Sequence, residues 1–560
     1  MVFQAFQRIA APGGVIPADT TLVQRWIWAF KGISLLAGDA LLPIGRGDWY
    51  WNPSRVIPSG PGNEITEFPL FTFLYSDLHA HMLVMPLTLF IIAWAVSFIK
   101  SRAQLSRAEW VAAFGIGALM IGALKPTNTW DLYTFFPFTA LAMIYAINRH
   151  FEWKGRFKLP DWLGRLLFSI GAVVVLYALG SLMYLPFNVW YSQAYNSIDP
   201  WTATHTPFSS YFTQWGLFLF IITAWIVWET REWMASTPVS HSKKLNPYSL
   251  FIEIGLALIV ALLAFFVIKG ARIAWLALPL AVWAGILLLR PNMPSVKRGV
   301  LLMIGTGLAL TMAVEVIALR GDLGRMNTIF KLYMQVWLLF SVSAAAAFGW
   351  LLNAFPFWRL RWRTIYQTGL YVLLAGAFMF TITATSDKIS DRMTPTAPHT
   401  LDSMSYMNYS QHWDVNMMDL SEDYRAIRWM QDNVQGSPVL VEANCSEYRW
   451  CTRFTIYTGL PGVIGWNFHQ RQQRALIAPN LITDRVADIS TFYNTMDVDW
   501  ARTFLKKHQV KYIIVGQLER NIYPVLEGIP DGLSKFEKFE GKYWKVVYQD
   551  KNTTIYEVLP

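Results

Sequence analysis

Cysteine and charged residues are both scarce in this chain. Its 560 residues include only 2 cysteines, and Asp, Glu, Lys and Arg together make up 15% of them. Two cysteines are too few for a structural zinc site. The sequence also contains no Walker loop, no Gly-rich dinucleotide turn and no nucleophile elbow around a serine. Nucleotide binding through those loops, and hydrolysis by a serine at such an elbow, are therefore excluded.

Apolar residues, in contrast, are abundant and run in long stretches. Hydrophobic residues make up 54% of the chain, which is typical of a polytopic membrane protein. The segment 26–42 is interrupted by charged residues, which favours an interfacial or re-entrant helix over a span. The predicted spans number about ten and lie near 83–98, 110–124, 130–147, 165–186, 215–228, 249–268, 272–289, 299–319, 329–352 and 366–384.

The formal net charge of +10 predicts membrane topology rather than nucleic-acid binding. Lys and Arg concentrate in alternate loops, and by the positive-inside rule these loops are cytoplasmic. The loop 188–214 contains no Lys or Arg, which places it outside. Strict alternation then puts four regions on the outer face of the cytoplasmic membrane: the Asp77 segment, the loops 125–131 and 320–331, and everything after about Ser386.

The hydropathy changes after residue 385, where a soluble domain is predicted. Helix patterns alternate with short strand patterns, which indicates a small extracytoplasmic α/β or α+β domain. The predicted organisation is an outer N-terminal segment (1–82), a membrane helical domain (83–385) and this soluble domain (386–560). The predicted soluble elements are a helix at Glu422–Asn433, strands at Pro438–Glu442 and Lys511–Gly516, an amphipathic segment at Val498–His508, and a hairpin of Trp544–Tyr548 with Thr554–Val558.

Both cysteines, Cys445 and Cys451, lie in this soluble domain. Outside the membrane they could form a disulfide that closes a small loop. A free pair of buried thiols is the alternative.

Four acidic or histidine residues lie directly before the first span, between residues 67 and 82: Glu67, Asp77, His79 and His81. Such groups are expensive beside hydrocarbon, so their presence suggests a site. If Ser76 caps the helix, Asp77 and His81 share one face while His79 points elsewhere. A proton-transferring or metal-binding pair is then feasible. Alternatively, Asp77 only caps the helix and the histidines sit at the headgroup boundary.

Two further outer loops carry polar residues. One holds Lys125 and Asp131, and the other runs from Arg320 into the span that begins near Lys331. If Asn327 or Thr328 caps that helix, its N–H groups would form a phosphate-binding corner with Arg325 and Lys331. Gln335 lies one turn beyond Lys331 and would face inward with it. The alternative is that Arg325 and Lys331 extend to lipid headgroups.

Four separated strings of the sequence resemble the YYY-type family of polytopic membrane proteins, named for a run of tyrosines in its N-terminal half. They lie at 67–81, 325–333, 458–472 and 510–520. That family in turn looks like the GT-C class of membrane glycosyltransferases, which take a sugar from a polyprenyl-phosphate carrier. The tyrosine run and the family's N-terminal spans are absent from this sequence, so the resemblance implies a fragment, a mis-called start or one half of a split protein, and in the last case a separate N-terminal half would be a partner.

The resemblance implies a glycosyltransferase, or a fragment of one, that moves a sugar from a polyprenyl-phosphate carrier to an acceptor glycan or protein. Asp77 or Glu67 would be the base. The departing phosphate and its sugar would contact Arg325, Lys331, Lys125, Asn327 and Gln335. His79 and His81 could hold a divalent metal ion with Asp77. The soluble domain would bind the acceptor through Trp466, His469 and Arg471.

Two other functions fit the composition. A transporter or lipid flippase would show charged residues at span centres and internal repeats, and the sequence has few of the former and none of the latter. A non-catalytic membrane scaffold that binds glycans would tolerate the loss of Asp77 and Lys331, whereas a transferase would not.

Overall fold

The computed structural model describes residues 2–17, 20–38, 40–58, 63–100, 106–152, 159–191, 197–238, 240, 246–474, 477–478, 480–524 and 531–560. The chain divides into two compact units. Unit 1 comprises residues 1–188 and 195–391, and unit 2 comprises residues 189–194 and 392–560. Apart from residues 189–194, the predicted segments 1–82 and 83–385 thus belong to one unit, and the main part of the second unit starts at residue 392.

Among its described residues, unit 1 is helical apart from one pair of short strands and one isolated β-bridge. Its helices are α1 (Val2–Ala10), α2 (Leu22–Leu36), α3 (Arg46–Trp51), α4 (Pro69–Tyr75), α5 (Ala80–Lys100), α6 (Arg107–His150), α7 (Asp161–Met183), α8 (Leu185–Trp190, which continues into unit 2), α9 (Phe208–Ser236), α10 (Ser249–Ile268), α11 (Ala274–Leu289), α12 (Ser295–Ala313), α13 (Met326–Ala354) and α14 (Leu360–Arg392). The strands β1 (Ile198–Pro200) and β2 (Ile317–Leu319) pair antiparallel.

Within the described residues, eight of these helices are long and apolar enough to cross a membrane, which confirms a polytopic membrane protein. They are α5, α6, α7, α9, α10, α12, α13 and α14. The predicted span 272–289 corresponds to α11, which has only 16 residues, fewer than the roughly 20 that cross a bilayer. The predicted interfacial segment 26–42 overlaps α2, where Trp26, Ile27 and Phe30 are exposed; residue 39 lies outside the described part.

The predicted spans 110–124 and 130–147 form the single helix α6, which is interrupted by a non-helical residue, Asn128 (φ −154°, ψ 97°). A Cβ added to Gly122 would lie 2.5 Å from the Gly180 carbonyl oxygen, and the Phe136 ring lies 5.1 Å from that of Tyr177. Tyr177 and Gly180 are one turn apart on α7, yet a straight helix would separate Gly122 and Phe136 by about 21 Å. We infer that α6 turns back at Asn128, as the two predicted spans require.

The loops rich in Lys and Arg meet at one end of this bundle. Arg165 donates to the Asn148 carbonyl (2.9 Å), and the Arg298 guanidinium lies over the Tyr145 ring. Lys297 and Arg290 both pair with Glu229 near the end of α9. The described ends of three of the predicted cytoplasmic loops, 149–165, 231–244 and 290–298, therefore share one side of the bundle.

Unit 2 contains the predicted mixture of helices and strands. Its elements are β3 (Gln411–Asp414), β4 (Asn416–Asp419), α15 (Leu420–Asn433), β5 (Val439–Val441), α16 (Arg453–Thr458), α17 (Asn467–Gln473), α18 (Asn480–Asn494), α19 (Val498–Lys507), β6 (Val510–Val515), α20 (Gln517–Ile522), α21 (Ser534–Lys538), β7 (Trp544–Gln549) and β8 (Thr554–Val558). β3 and β4 form a hairpin, and the other strands form a sheet of order β5-β6-β8-β7.

In that sheet β5 and β6 are parallel, whereas β8 runs antiparallel to both β6 and β7. The predicted helix, strands and hairpin are therefore confirmed to within a few residues. Cys445 and Cys451 form a disulfide, with Cα atoms 6.0 Å apart.

Candidate functional site

The extended segment 63–68 carries Glu67 at the end of the bundle opposite the basic loops. Backbone hydrogen bonds join this segment to residues 54–57, from the Glu64 N–H to the Ile57 carbonyl and from the Thr66 N–H to the Ser54 carbonyl. Pro69 then starts α4, where its missing N–H costs nothing. Glu67 is thereby fixed just before a helix, with a side chain only 13% exposed.

His79 and His81 lie side by side next to this carboxylate. Their Nδ1 atoms are 2.8 Å apart, and His81 Nε2 lies 3.3 Å from the Thr72 hydroxyl and 3.7 Å from Glu67. The sequence prediction was wrong on two points. Ser76 ends α4 in a left-handed conformation instead of capping the next helix, and α5 begins at Ala80. His79 therefore faces His81, and Asp77 is exposed in the loop before them.

A divalent metal ion does not fit these residues. Among the described side chains, no group of three or more His, Cys, Asp or Glu residues is arranged to hold a metal ion. His79 and His81 supply two neighbouring nitrogens, but Asp77 does not join them as predicted. No chemical step is therefore assigned to a metal.

Arg55, which the sequence reasoning missed, pairs with Glu67 across 3.7 Å and lies over the Trp51 ring. Burial raises the pKa of Glu67 to about 7, the Arg55 charge opposes this, and Asp77 adds to it. A carboxylate with such a pKa exchanges protons near neutral pH. The only available sequence signal for Arg55 was an isolated cation in an aromatic segment shortly before Glu67.

Arg325 is not available to a phosphate group, contrary to the prediction. Its side chain is 1% exposed and donates to Glu315 (2.8 Å), to the Val314 carbonyl (2.8 Å) and to the Thr206 hydroxyl (3.1 Å). Glu64 lies 3.5 Å from its Nε atom. Burial acts to raise the pKa of Glu315, but the His205 hydrogen bond and the Arg325 charge outweigh it and lower that pKa.

The N-terminus of α13 is also occupied from within the chain. Both Asp322 carboxylate oxygens accept backbone N–H groups of this helix, from Asn327 (3.1 Å) and Thr328 (2.8 Å). The side chains of Asn327 and Thr328 donate to the same carboxylate. The predicted phosphate-binding corner is therefore an Asp-capped helix start, and Asn327 is part of the cap.

Lys331 and Gln335 lie on one face of α13, as predicted, and both approach the other polar groups. Lys331 is half-buried and close enough to His81 to interact electrostatically. Gln335 is buried, accepts from the Thr134 hydroxyl (2.5 Å) and contacts Asp131. Lys125 is half-buried in α6, one turn before Thr129, whose hydroxyl donates to its carbonyl.

A cavity of about 1270 Å³ opens beside this polar group. Most of its wall is apolar and belongs to membrane helices, including Met85 and Leu89 of α5 and Trp337 and Leu338 of α13. One end is polar. The polar side chains of that end include Asp48, Asn52, Arg55 and Asn63, and Gln4 and Arg8 of α1 also line the cavity.

Helix α14 forms the outer wall of the cavity. The buried residues of α14 lie in two patches, Tyr366–Leu370 and Ala384–Lys388. Between these patches the helix lines the cavity, with Leu373 and Gly376 among the lining residues. Lys388 Nζ lies 4.2 Å from the Tyr50 ring centre and 5.1 Å from that of Tyr75, which fixes one end of the helix.

Unit 2 carries the remaining predicted residues. The rings of Trp466 and His469 are 5.7 Å apart and adjoin Tyr448, which the sequence reasoning missed. Arg471 is exposed on α17, two residues beyond His469, so the two side chains point to different sides of the helix. An aromatic residue in the middle of the loop between the two cysteines was the signal for Tyr448.

Comparison with solved structures found similarity to archaeal oligosaccharyltransferases from Archaeoglobus fulgidus. The structure tethered with an acceptor peptide containing the NVT sequon is 11% identical, with a TM-score of 0.29, over 96% of this chain and 65% of that chain. AglB in complex with an inhibitory peptide and a dolichol-phosphate is 15% identical, with a TM-score of 0.29, over 86% and 57% of the two chains. This chain thus spans less than two thirds of the length of either.

The C-terminal globular domain of an oligosaccharyltransferase from the same organism is 13% identical, with a TM-score of 0.17, over 24% of this chain and 96% of that one. None of the curated proteins with which the sequence was compared matches it. A family model described as uncharacterized membrane protein (DUF2298) matches residues 10–340, more than half of the chain, and the chain therefore belongs to that family.

Proposed function

We propose that this protein is a membrane glycosyltransferase that takes a sugar from a polyprenyl-phosphate carrier. The observation that carries the proposal is the cavity of unit 1, which is apolar along the membrane helices and polar at the end that holds Arg55. A carrier of this kind has the same division, because a long hydrocarbon chain ends in an anionic phosphate. A volume of about 1270 Å³ also exceeds the roughly 300–1,000 Å³ of sites for small molecules.

Glu67 is the base of the proposed reaction. An acceptor oxygen attacks the anomeric carbon of the sugar, the bond from that carbon to the phosphate oxygen breaks, and its electrons leave with the phosphate. The acceptor proton passes to the Glu67 carboxylate, whose pKa of about 7 suits this transfer. Asp77 is exposed and precedes α5, so we place it at the edge of the site.

Positive charge is needed where the phosphate departs. Arg55 is the cation that both lines the cavity and pairs with Glu67. Lys331 approaches the same group of residues through His81. The sequence predicted Arg325 and Lys331 as the phosphate ligands. We instead assign this role to Arg55 and Lys331, with Lys125 as a further cation at this end of the bundle.

The acceptor is proposed to bind unit 2 through Trp466 and His469. We further place residues 392–560 outside the cytoplasmic membrane, on the strength of the positive-inside rule. A reporter-fusion map that put these residues in the cytoplasm would overturn this placement.

The experiment that tests the proposal blocks the cavity. Gly376 lines the cavity and a Cβ there would meet no atom within 4 Å, so Gly376→Trp adds bulk at the cavity wall without displacing the backbone. Gly349 on α13 is equally open and exposed but does not line the cavity, so Gly349→Trp is the matched control. We expect the first variant to lose binding of a polyprenyl-phosphate-linked hexose by the full chain, and the control to retain it. Equal binding by both, or no binding by the unchanged protein, would overturn the proposal.

A second arm separates binding from turnover. Arg55→Met should weaken carrier binding about ten- to a hundredfold, because charge-assisted contacts to phosphate contribute about 1.5–3 kcal/mol. Lys331→Met should have a similar effect. Glu67→Gln should leave binding nearly intact and suppress transfer, since it keeps the shape of the side chain and removes the base.

A further inference from the structure

The loop closed by the disulfide Cys445–Cys451 presents one aromatic side chain outwards. The two residues that follow it are tied to unit 2 by their side chains: Arg449 pairs with Asp414, and the Trp450 indole donates to Asp423 (2.7 Å). Tyr448, in contrast, is 79% exposed. Its backbone is left-handed (φ 64°), a conformation that is unfavourable for a bulky residue. A rigid loop thus holds a Tyr in an unfavourable conformation where it adds little to the core.

Tyr448 forms an aromatic platform with Trp466 and His469. The Tyr448 ring centre is 5.4 Å from that of Trp466 and 5.6 Å from that of His469, and the Tyr448 hydroxyl lies 3.4 Å from His469 Nε2. The Trp466 indole N–H donates to the Cys451 carbonyl, which ties the platform to the disulfide. The Phe468 N–H donates to Glu447 (2.7 Å), which fixes the start of α17 to the same loop. The three rings are therefore positioned before any ligand arrives.

The chemistry of the platform selects one class of ligand. Flat rings offer an electron-rich face to weakly positive C–H groups, while the Tyr448 hydroxyl at their edge forms hydrogen bonds. A sugar ring presents both features at once. A lipid would require an unbroken apolar patch, and a nucleic acid would require a field of cations. Here the charged neighbours in sequence, Glu447 and Arg471, are of opposite sign.

We propose that the aromatic platform of Tyr448, Trp466 and His469 binds a pyranose ring of a saccharide. The role of this saccharide as the acceptor rests on the proposed function of unit 1, but the binding itself does not. The Cys445–Cys451 disulfide is the device that presents the central ring, so reduction is expected to weaken binding.

The test uses the full chain in detergent with maltotetraose, chitotetraose and mannotetraose as probes, in the absence of any lipid carrier. We expect saturation-transfer NMR to detect at least one of the three. Tyr448→Ala should reduce its affinity at least tenfold, and Cys445→Ala with Cys451→Ala should reduce it as well. Trp413→Ala removes another exposed aromatic side chain of unit 2, 67% exposed on β3, and should leave the affinity unchanged. Unchanged melting temperatures would show that the variants fold.

The platform proposal is overturned if none of the oligosaccharides binds, if Tyr448→Ala binds as the unchanged protein does, or if an unglycosylated peptide displaces the sugar more effectively than the sugar itself. Saccharide binding by a protein that fails to bind the polyprenyl-phosphate-linked hexose would overturn the function proposed for unit 1 and leave the platform in place. Carrier binding without saccharide binding would overturn the platform proposal and leave the function proposed for unit 1 in place.

Discussion

Arg325 Nη1 lies 2.8 Å from Glu315 Oε1, and neither side chain is more than 1% exposed. Glu315 also accepts hydrogen bonds from His205 (3.0 Å) and from the Thr206 backbone N–H (3.1 Å). The pair therefore joins the start of α13 to the loop that precedes α9. A buried pair of this kind fixes local structure, and removing one partner leaves the other charge uncompensated.

Arg325→Met is accordingly expected to destabilise unit 1 by about 3–5 kcal/mol, because Glu315 and Glu64 lose their cation. Arg320→Met is the control, since Arg320 pairs with Asp199 at the exposed surface and its loss should have little effect. Thermal unfolding of both variants in detergent measures the difference. If Arg325→Met unfolded like the unchanged protein and lost only carrier binding, Arg325 would be a phosphate ligand after all.

The second prediction concerns pH. The Glu67 base must be ionised to act, and its pKa is raised from 4.5 to about 7, so transfer should rise with pH and level off above about 7. The Arg55 charge lowers this pKa, so Arg55→Met should move the rise to higher pH. Glu67→Gln should abolish the rise and slow transfer by roughly 10²- to 10⁴-fold. A rate that does not change between pH 5 and 9 would exclude Glu67 as the base.

The Glu67 carboxyl also makes stability depend on pH, and stability should fall where transfer rises. The folded protein holds the Glu67 proton more tightly than the unfolded chain, so stability falls as the pH rises from about 4.5 to about 7 and stays lower above that. Glu67→Gln carries no charge at any pH, so its unfolding should lack this part of the pH dependence. Comparing thermal unfolding of the two proteins at pH 5 and pH 8 measures it.

The third prediction tests the reversal of α6 at Asn128. A Cβ on Gly122 would lie 2.5 Å from the Gly180 carbonyl oxygen, which is backbone and cannot move aside cheaply. Gly122→Ala should therefore destabilise the membrane helices by about 1–3 kcal/mol. Gly115, on the same arm of α6, has open space around it, and Gly115→Ala should be neutral or stabilising by up to about 1 kcal/mol. Equal melting temperatures for the two variants would show that α6 does not fold back onto α7 at Gly122.

Hydrophobicity and charge predicted the large-scale architecture because each span and strand carries its own pattern. The spans could be read from continuous apolar runs, and the β7–β8 hairpin from its alternating residues. Helix ends were less predictable. Ser76 has the chemistry of a helix N-cap, yet it ends α4, because the choice between the two roles depends on a left-handed backbone that no local pattern reveals.

The sequence predicted only part of the candidate site. Glu67, His81, Lys331 and Gln335 approach one another because their segments all end on one side of the bundle. The role of Arg325 could not be predicted from the sequence. Its acceptor Glu315 lies ten residues before it, and its other acceptor, the Thr206 hydroxyl, lies in a loop that is distant in sequence. Arg55 was missed because its pairing with Glu67 and its place in the cavity wall arise only in the folded protein.

The last prediction concerns the buried charges of unit 2. Arg453, 1% exposed, pairs with Asp423 (2.8 Å), with Glu519 (2.9 Å) and with Glu442 (3.5 Å). Burial raises the pKa of Glu442 to about 7, whereas for Glu519 the effect of burial is outweighed by the Arg453 charge and the pKa is lowered. One cation thus holds three carboxylates inside the unit.

Arg453→Met should destabilise unit 2 by about 3–5 kcal/mol at pH 8, where the carboxylates that lose their cation are charged. The loss should be smaller at pH 5, because the pKa of Glu519 is no longer held down and the carboxylates can take up protons. Hydrogen exchange of β6 in the full chain reports on this unit alone. Arg502→Met is the control, since Arg502 pairs with Asp499 at the exposed surface of the same unit and its loss should have little effect. If β6 of Arg453→Met exchanged equally fast at both pH values, after correction for the intrinsic exchange rate, the carboxylates of the cluster would not depend on Arg453 to stay charged.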